Sequence, residues 1–139
     1  MRTQKDKSAG AIVVNKQNQF LLLFQNQNEF WEFPKGEQEK GETEKQALCR
    51  ELFEETGIKK FQYLPGFKQK SHYRFQLKGV LHQKEVIFYL IRTEDKVHLS
   101  DEHISYRWIP YSGAIKLLKH KNLRDLLKSA QQFLKLSAK

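Results

Sequence analysis

Cysteine occurs once in the 139 residues, at Cys49, and proline only three times, at Pro34, Pro65 and Pro110. One thiol excludes an internal disulfide, and Cys49, in a segment that reads as helix, is expected to be packed rather than reactive. No apolar run follows the opening MRTQKDK, and none elsewhere reaches spanning length. Neither a signal peptide nor a membrane helix is therefore expected, and a reducing cytoplasm is the expected location. Repeats, linkers and low-complexity segments are also missing. The length fits one domain with a real core.

Positive charge is plentiful. Lys and Arg number 25 against 16 Asp and Glu, leaving a net charge of +9. The acid is concentrated in the centre, so the remainder is more basic still. Such a balance favours polyanions, nucleotides or RNA among them. No nucleic-acid-binding module signature accompanies it.

Residues 1–7 read as a flexible basic N-terminus, and 8–136 as the domain. SAGAIVVN, residues 8–15, reads as a buried strand, joined by a turn at 16–19 to a second strand at 20–24 as a hairpin. Residues 61–67 and 69–77 look like strands, with Pro65-Gly66 a turn or bulge signal, and 80–91 like another. In the second of these, Tyr73, Phe75 and Leu77 alternate with His72, Arg74 and Gln76, the pattern of a half-buried sheet. A loop at 99–103 leads to a final strand at 106–110. One helix, from 112 to about 136, closes the chain with Leu123, Leu126, Leu127, Ala130, Phe133 and Leu134 at helical spacing. The sum is an α+β sandwich with a mixed sheet.

The chemistry is concentrated in residues 36–58, GEQEKGETEKQALCRELFEETGI. Residues 36–42 read as a loop. Thr43 followed by Gln46 is a capping-box pattern, and Gly57 can end the helix in the left-handed conformation. Ala47, Leu48 and Leu52 form one apolar strip and Cys49 with Phe53 a second, so the helix is expected to pack on more than one side. Glu51, Glu54 and Glu55 fall within an arc of about 100°. Three carboxylates so held invite a hard divalent cation, because Mg²⁺ takes oxygen ligands and keeps waters for a phosphate substrate. Arg50 precedes Glu54 by four residues and can pair with it.

A glutamate cluster alone is most often a solvated helix face. The full spacing is more specific: Gly36, five residues, Glu42, seven residues, Arg50-Glu51-Leu52, one residue, Glu54-Glu55, one residue, Gly57-Ile58. It resembles the Nudix box of a hydrolase family without a departure. The resemblance implies a single-domain α/β/α sandwich and a divalent-metal-dependent hydrolase, with Mg²⁺ as the ion or Mn²⁺ in its place. Glu51, Glu54 and Glu55 would be metal ligands, one of them activating water. A backbone carbonyl at Lys35 or Gly36 would complete the shell, Glu42 would support it and Arg50 would orient a carboxylate.

The flanks narrow the comparison. SAGAIVV, the W-x-F-P-K-G run from Trp31, GFK at 66–68 and EHISYRW from Glu102 together resemble the asymmetrical diadenosine tetraphosphate (Ap4A) hydrolases of that family. On this resemblance Tyr73 would stack adenine, and Lys35, Arg74 and Lys84 would contact phosphates. Glu102 would be an outer metal ligand or alternative base. The implied partner is a dinucleoside polyphosphate or nucleotide bound by a monomer without a membrane. An RNA 5′ end, as for RNA 5′-pyrophosphohydrolases, is the alternative substrate. A nucleoside-triphosphate-sanitising enzyme and a non-catalytic nucleotide sensor remain further readings.

Overall fold

The computed structural model describes residues 2–101 and 103–138. Strand β1 (Arg2–Val14) is the spine of the sheet. Its second half, residues 8–14, is buried throughout, as a strand covered on both faces must be. β1 runs parallel to β6 (Val80–Arg92) in unbroken register, from Arg2 opposite Val80 to Val14 opposite Arg92. β6 pairs antiparallel with β5 (Gln62–Leu77), and β2 (Phe20–Gln25) with β3 (Trp31–Glu32) and β7 (His103–Ile109). β4 (Lys35–Glu37) pairs antiparallel with β1. Among the described residues these seven strands make one mixed sheet.

Alternation along β1 sends side chains to two cores. Ala9, Ala11 and Val13 face helix α1 (Glu44–Thr56) through Ala47, Leu48 and Leu52. Ile12 and Val14 face the other way, onto α2 (Tyr111–Leu117) and α3 (Lys121–Ser137) through Ala114, Leu123, Leu127 and Ala130. The result is an α/β/α sandwich with an α+β chain order. Among the described residues no helix is long and apolar enough to cross a membrane.

Several expectations need correction. The basic tail at 1–7 is ordered from Arg2 as part of β1, because the β5–β6 hairpin carries its strand edge out to Val80. Asp6 reinforces the ladder through an ion pair with Lys84 at 3.6 Å. The 8–15 and 20–24 segments meet only at Val14 and Phe20 before diverging to β6 and β7. Residues 62–77 form one strand whose register shifts between Tyr63 and Lys68, around Gly66 at φ 97°. The last strand starts earlier, at His103, and Pro110 becomes the N-cap of α2.

The closing helix is two helices. Leu118 and His120 take extended backbone, and Arg124 donates to the freed carbonyls of Leu118 and Lys119 at 3.0 and 2.6 Å. On α1, Cys49 is exposed, and Phe53 is 47% exposed. The helix therefore packs on one side only.

Candidate active site

Helix α1 begins as its capping box dictates. Thr43 Oγ1 accepts from Gln46 N–H at 3.1 Å, and the Gln46 side chain accepts from Thr43 N–H at 2.9 Å. Its end is set by Gly57 at φ 75°, whose N–H donates to Phe53 O at 2.8 Å. These local bonds fix where α1 begins and ends, and the burial of Ala47, Leu48 and Leu52 against β1 sets its rotation and so the direction of its acids.

Arg50 organises those acids. Its Nε and Nη2 donate to the two oxygens of Glu42 at 2.8 and 3.0 Å, and Nη2 also donates to Glu37 O at 2.8 Å. Nη1 donates to Glu51 Oε1 at 2.6 Å and lies 3.5 Å from Glu54 Oε2. The expected Arg50–Glu54 pair is thus the longest of these contacts, and the two-pronged bond goes to Glu42, where fork geometry is strongest. That bond holds the Glu42 carboxyl down at about 2, helped by Glu39 N–H, and raises the Arg50 guanidinium above its ordinary value.

The three helix carboxylates differ. Glu54 is 57% exposed, Glu51 18% and Glu55 7%. Glu51 lies against Gly36, where a Cβ would fall inside its carboxyl group. Glu55 points inward, and its Oε1 accepts from Lys35 N–H at 2.8 Å. β4 and α1 therefore bring the Gly36 backbone, Glu51, Glu54 and Glu55 to one place. Among the described residues no three acidic or imidazole side chains stand close enough together to hold a metal ion as they are. The donor set nevertheless fits a hard divalent cation. All its ligands are oxygens, the glycine leaves room, and Arg50 now screens the charges of Glu51 and Glu54 from one another.

A cleft of about 630 Å³ is lined by Lys35, Tyr73, Phe75, Lys84 and His120, with Glu32 at one side; the acids of α1 are not in its lining, and Lys35, whose N–H bonds Glu55, joins the two. Lys35 Nζ stands 6.0 Å from the Tyr73 ring centroid. Lys84 is engaged by Glu37 at 3.1 Å and Asp6 at 3.6 Å. Burial pulls its ammonium down, but the Glu37 bond and the Asp6 charge outweigh this and leave it above its ordinary value. Three of the four expected substrate contacts thus share the cleft. Arg74 does not line it: alternation on β5 turns it to the opposite face from Tyr73 and Phe75. Glu102 lies outside the described residues.

Sequence reasoning missed part of the cleft and its floor. Phe30 and His120 meet edge to face at 4.8 Å, and Phe75 stacks on His82 at 4.8 Å. Glu32 and His103 meet in the interior at 3.0 Å. The Trp-Glu-Phe alternation and the Glu-His pair were the available signals, and neither says that the two segments touch.

A family model described as NUDIX domain matches residues 4–130. The chain is 36% identical over 128 residues to the bis(5′-nucleosyl)-tetraphosphatase (asymmetrical) of Sus scrofa, covering 88% of this chain and 84% of that protein. It is 30% identical over 120 residues to an RNA pyrophosphohydrolase of Legionella pneumophila, covering 75% and 69%. A crystal structure of a C. elegans Ap4A hydrolase binary complex superposes with a TM-score of 0.79 at 29% identity, covering 94% of this chain and 98% of that one.

Proposed function

The chain belongs to the Nudix family, and from that premise we propose that it cleaves Ap4A asymmetrically to ATP and AMP. Nudix hydrolases generally use divalent metals, and Mg²⁺ is the proposed ion, with Mn²⁺ able to stand in. The observation that carries the reading is the cleft: an aromatic wall at Tyr73, with Lys35 and Lys84 beside it, is joined to the acids of α1 by the Lys35 N–H bond to Glu55 and by Glu37, which Lys84 and Arg50 share. The ring suits a base, the cations a polyphosphate and the carboxylates a metal.

Glu51, Glu54, Glu55 and the Gly36 carbonyl would hold the ion, which when bound supplies phosphate charge neutralisation and a water of lowered pKa. Arg50 keeps Glu51 aligned and is itself fixed by Glu42. Glu54, the most exposed of the three, is the proposed acceptor of the attacking water's proton. Water adds to phosphorus, one P–O–P bridge breaks, and the products are AMP and ATP. Lys35 and Lys84 neutralise the chain of phosphates, Lys84 by exchanging Glu37 for substrate oxygen. Tyr73 stacks on an adenine. Glu102 is proposed as outer ligand or alternative base. A monomer working in the cytoplasm is the proposed setting, where a lone exposed thiol stays reduced.

One observation favours a second substrate, a 5′-triphosphorylated RNA. Lys70, His72 and Arg74 on β5 and Lys5 and Lys7 on β1 form a basic strip away from the cleft, with Glu85 paired to Lys70 and His72. The test is kcat/KM for Ap4A, 5′-triphosphorylated RNA and a nucleoside triphosphate at two salt concentrations. Preference for Ap4A with a shallow salt dependence is expected, whereas a steep loss on RNA would mark many phosphate contacts and move the assignment.

A further inference from the structure

Beneath the acidic helix lies a cluster in which Glu55 alone has a role above. Glu32 from β3, His103 from the first residue of β7 and Glu55 from α1 converge, each more than nine-tenths buried. His103 Nε2 lies 3.0 Å from Glu32 Oε2 and 3.8 Å from Glu55 Oε2. The other oxygen of Glu55 already accepts from Lys35 N–H. The inner carboxylate is thus bounded at both ends, by a backbone amide on one side and an imidazole edge on the other.

The backbone ties the same three segments together. Ser100 N–H donates to Glu55 O at 3.1 Å, and His103 N–H to Ser100 O at 3.3 Å. Movement of the last turn of α1 would therefore carry the imidazole with it. Apolar side chains of similar size would be at least as stable in such a place as buried charged groups. Two ionisable groups gathered against one carboxylate of the acidic helix serve geometry better than stability.

We propose that His103, oriented by Glu32, is a positioning residue that fixes the Glu55 carboxylate for the divalent ion. The proposal rests on the reading of Glu55 as a metal ligand. At 3.8 Å, beyond hydrogen-bond length, the ring edge limits where Oε2 can turn rather than bonding it. Glu32 supplies the direct bond that sets the ring plane. Partners behind a metal ligand commonly govern both affinity and activity.

The test compares the wild type with His103→Ala, His103→Gln and Glu55→Gln. It reads Mn²⁺ binding without substrate by electron paramagnetic resonance, and kcat and KM for Ap4A. His103→Ala is expected to weaken Mn²⁺ binding and lower kcat by roughly 10- to 100-fold, the usual range for such partners. KM should stay within about threefold, because the substrate contacts are untouched. His103→Gln, which keeps a side-chain N–H, should recover most of both losses. His103→Ala with wild-type Mn²⁺ affinity and kcat would overturn the proposal. If Glu55→Gln binds Mn²⁺ like the wild type, the ligand reading of Glu55 fails and the proposal falls with it. Should His103→Ala not fold, nitrogen NMR of the wild-type histidines during Mg²⁺ titration decides: the His103 ring must shift more than that of His72, and no shift overturns the proposal.

Discussion

Glu51 on α1 folds its carboxyl group directly over the backbone of Gly36 on β4, filling the volume that any side chain there would need. Gly36→Ala is therefore expected to displace Glu51 while leaving the fold in place, because the displaced atoms are the end of a flexible side chain. A shift of about 1 Å in such a group can lower kcat about 100-fold. Steady-state kinetics with thermal melting checks this, and full activity with an unchanged melt would show that the close approach has no catalytic use.

Acid should loosen the site through Glu42. Its carboxyl is held at about 2, against an ordinary 4.5, by the Arg50 bond and then Glu39 N–H. A lowered folded-state pKa contributes stability that is complete above 4.5 and lost as pH falls towards 2. The melting temperature of the wild type should converge on that of Glu42→Gln across that window. A gap between the two that stays constant with pH would contradict this.

Tyr73 is expected to act on binding. Base stacking on an aromatic ring is worth about 1–3 kcal/mol, so Tyr73→Ala should raise KM for Ap4A roughly 10-fold with kcat little changed. An unchanged KM would remove the stacking role.

Arg74 supplies the complementary control. Since it faces away from the cleft, Arg74→Ala should leave KM for Ap4A within about twofold. A large rise for 5′-triphosphorylated RNA alone would instead mark the basic strip as an RNA path.

The parts legible in the sequence are those built from near neighbours. Thr43 with Gln46 and Gly57 delimit α1 by bonds within a few residues, so the spacing of the acids became geometry directly. Tyr73 and Phe75 were legible as one face of a strand for the same reason. What could not be read depends on remote partners. The ordering of Arg2–Lys7 needs the edge of β6, and the helix break at Leu118–His120 carries no Gly or Pro, only an Arg124 whose carbonyl contacts appear after folding. The one-sided packing of α1 leaves Cys49 exposed, met only at its edge by the Tyr63 hydroxyl at 4.0 Å among the described residues. Glu32 and His103 sit far apart in the chain, and only the β2 ladder, paired with β3 on one side and β7 on the other, brings them together.

The central claim is the asymmetrical cleavage of Ap4A by the acids of α1. Its most direct test is anion-exchange analysis of the products formed with Mg²⁺, using Glu54→Gln as the control. ATP and AMP in equal amounts, absent with Glu54→Gln, is the predicted result. Intact Ap4A, or two molecules of ADP, would contradict the account.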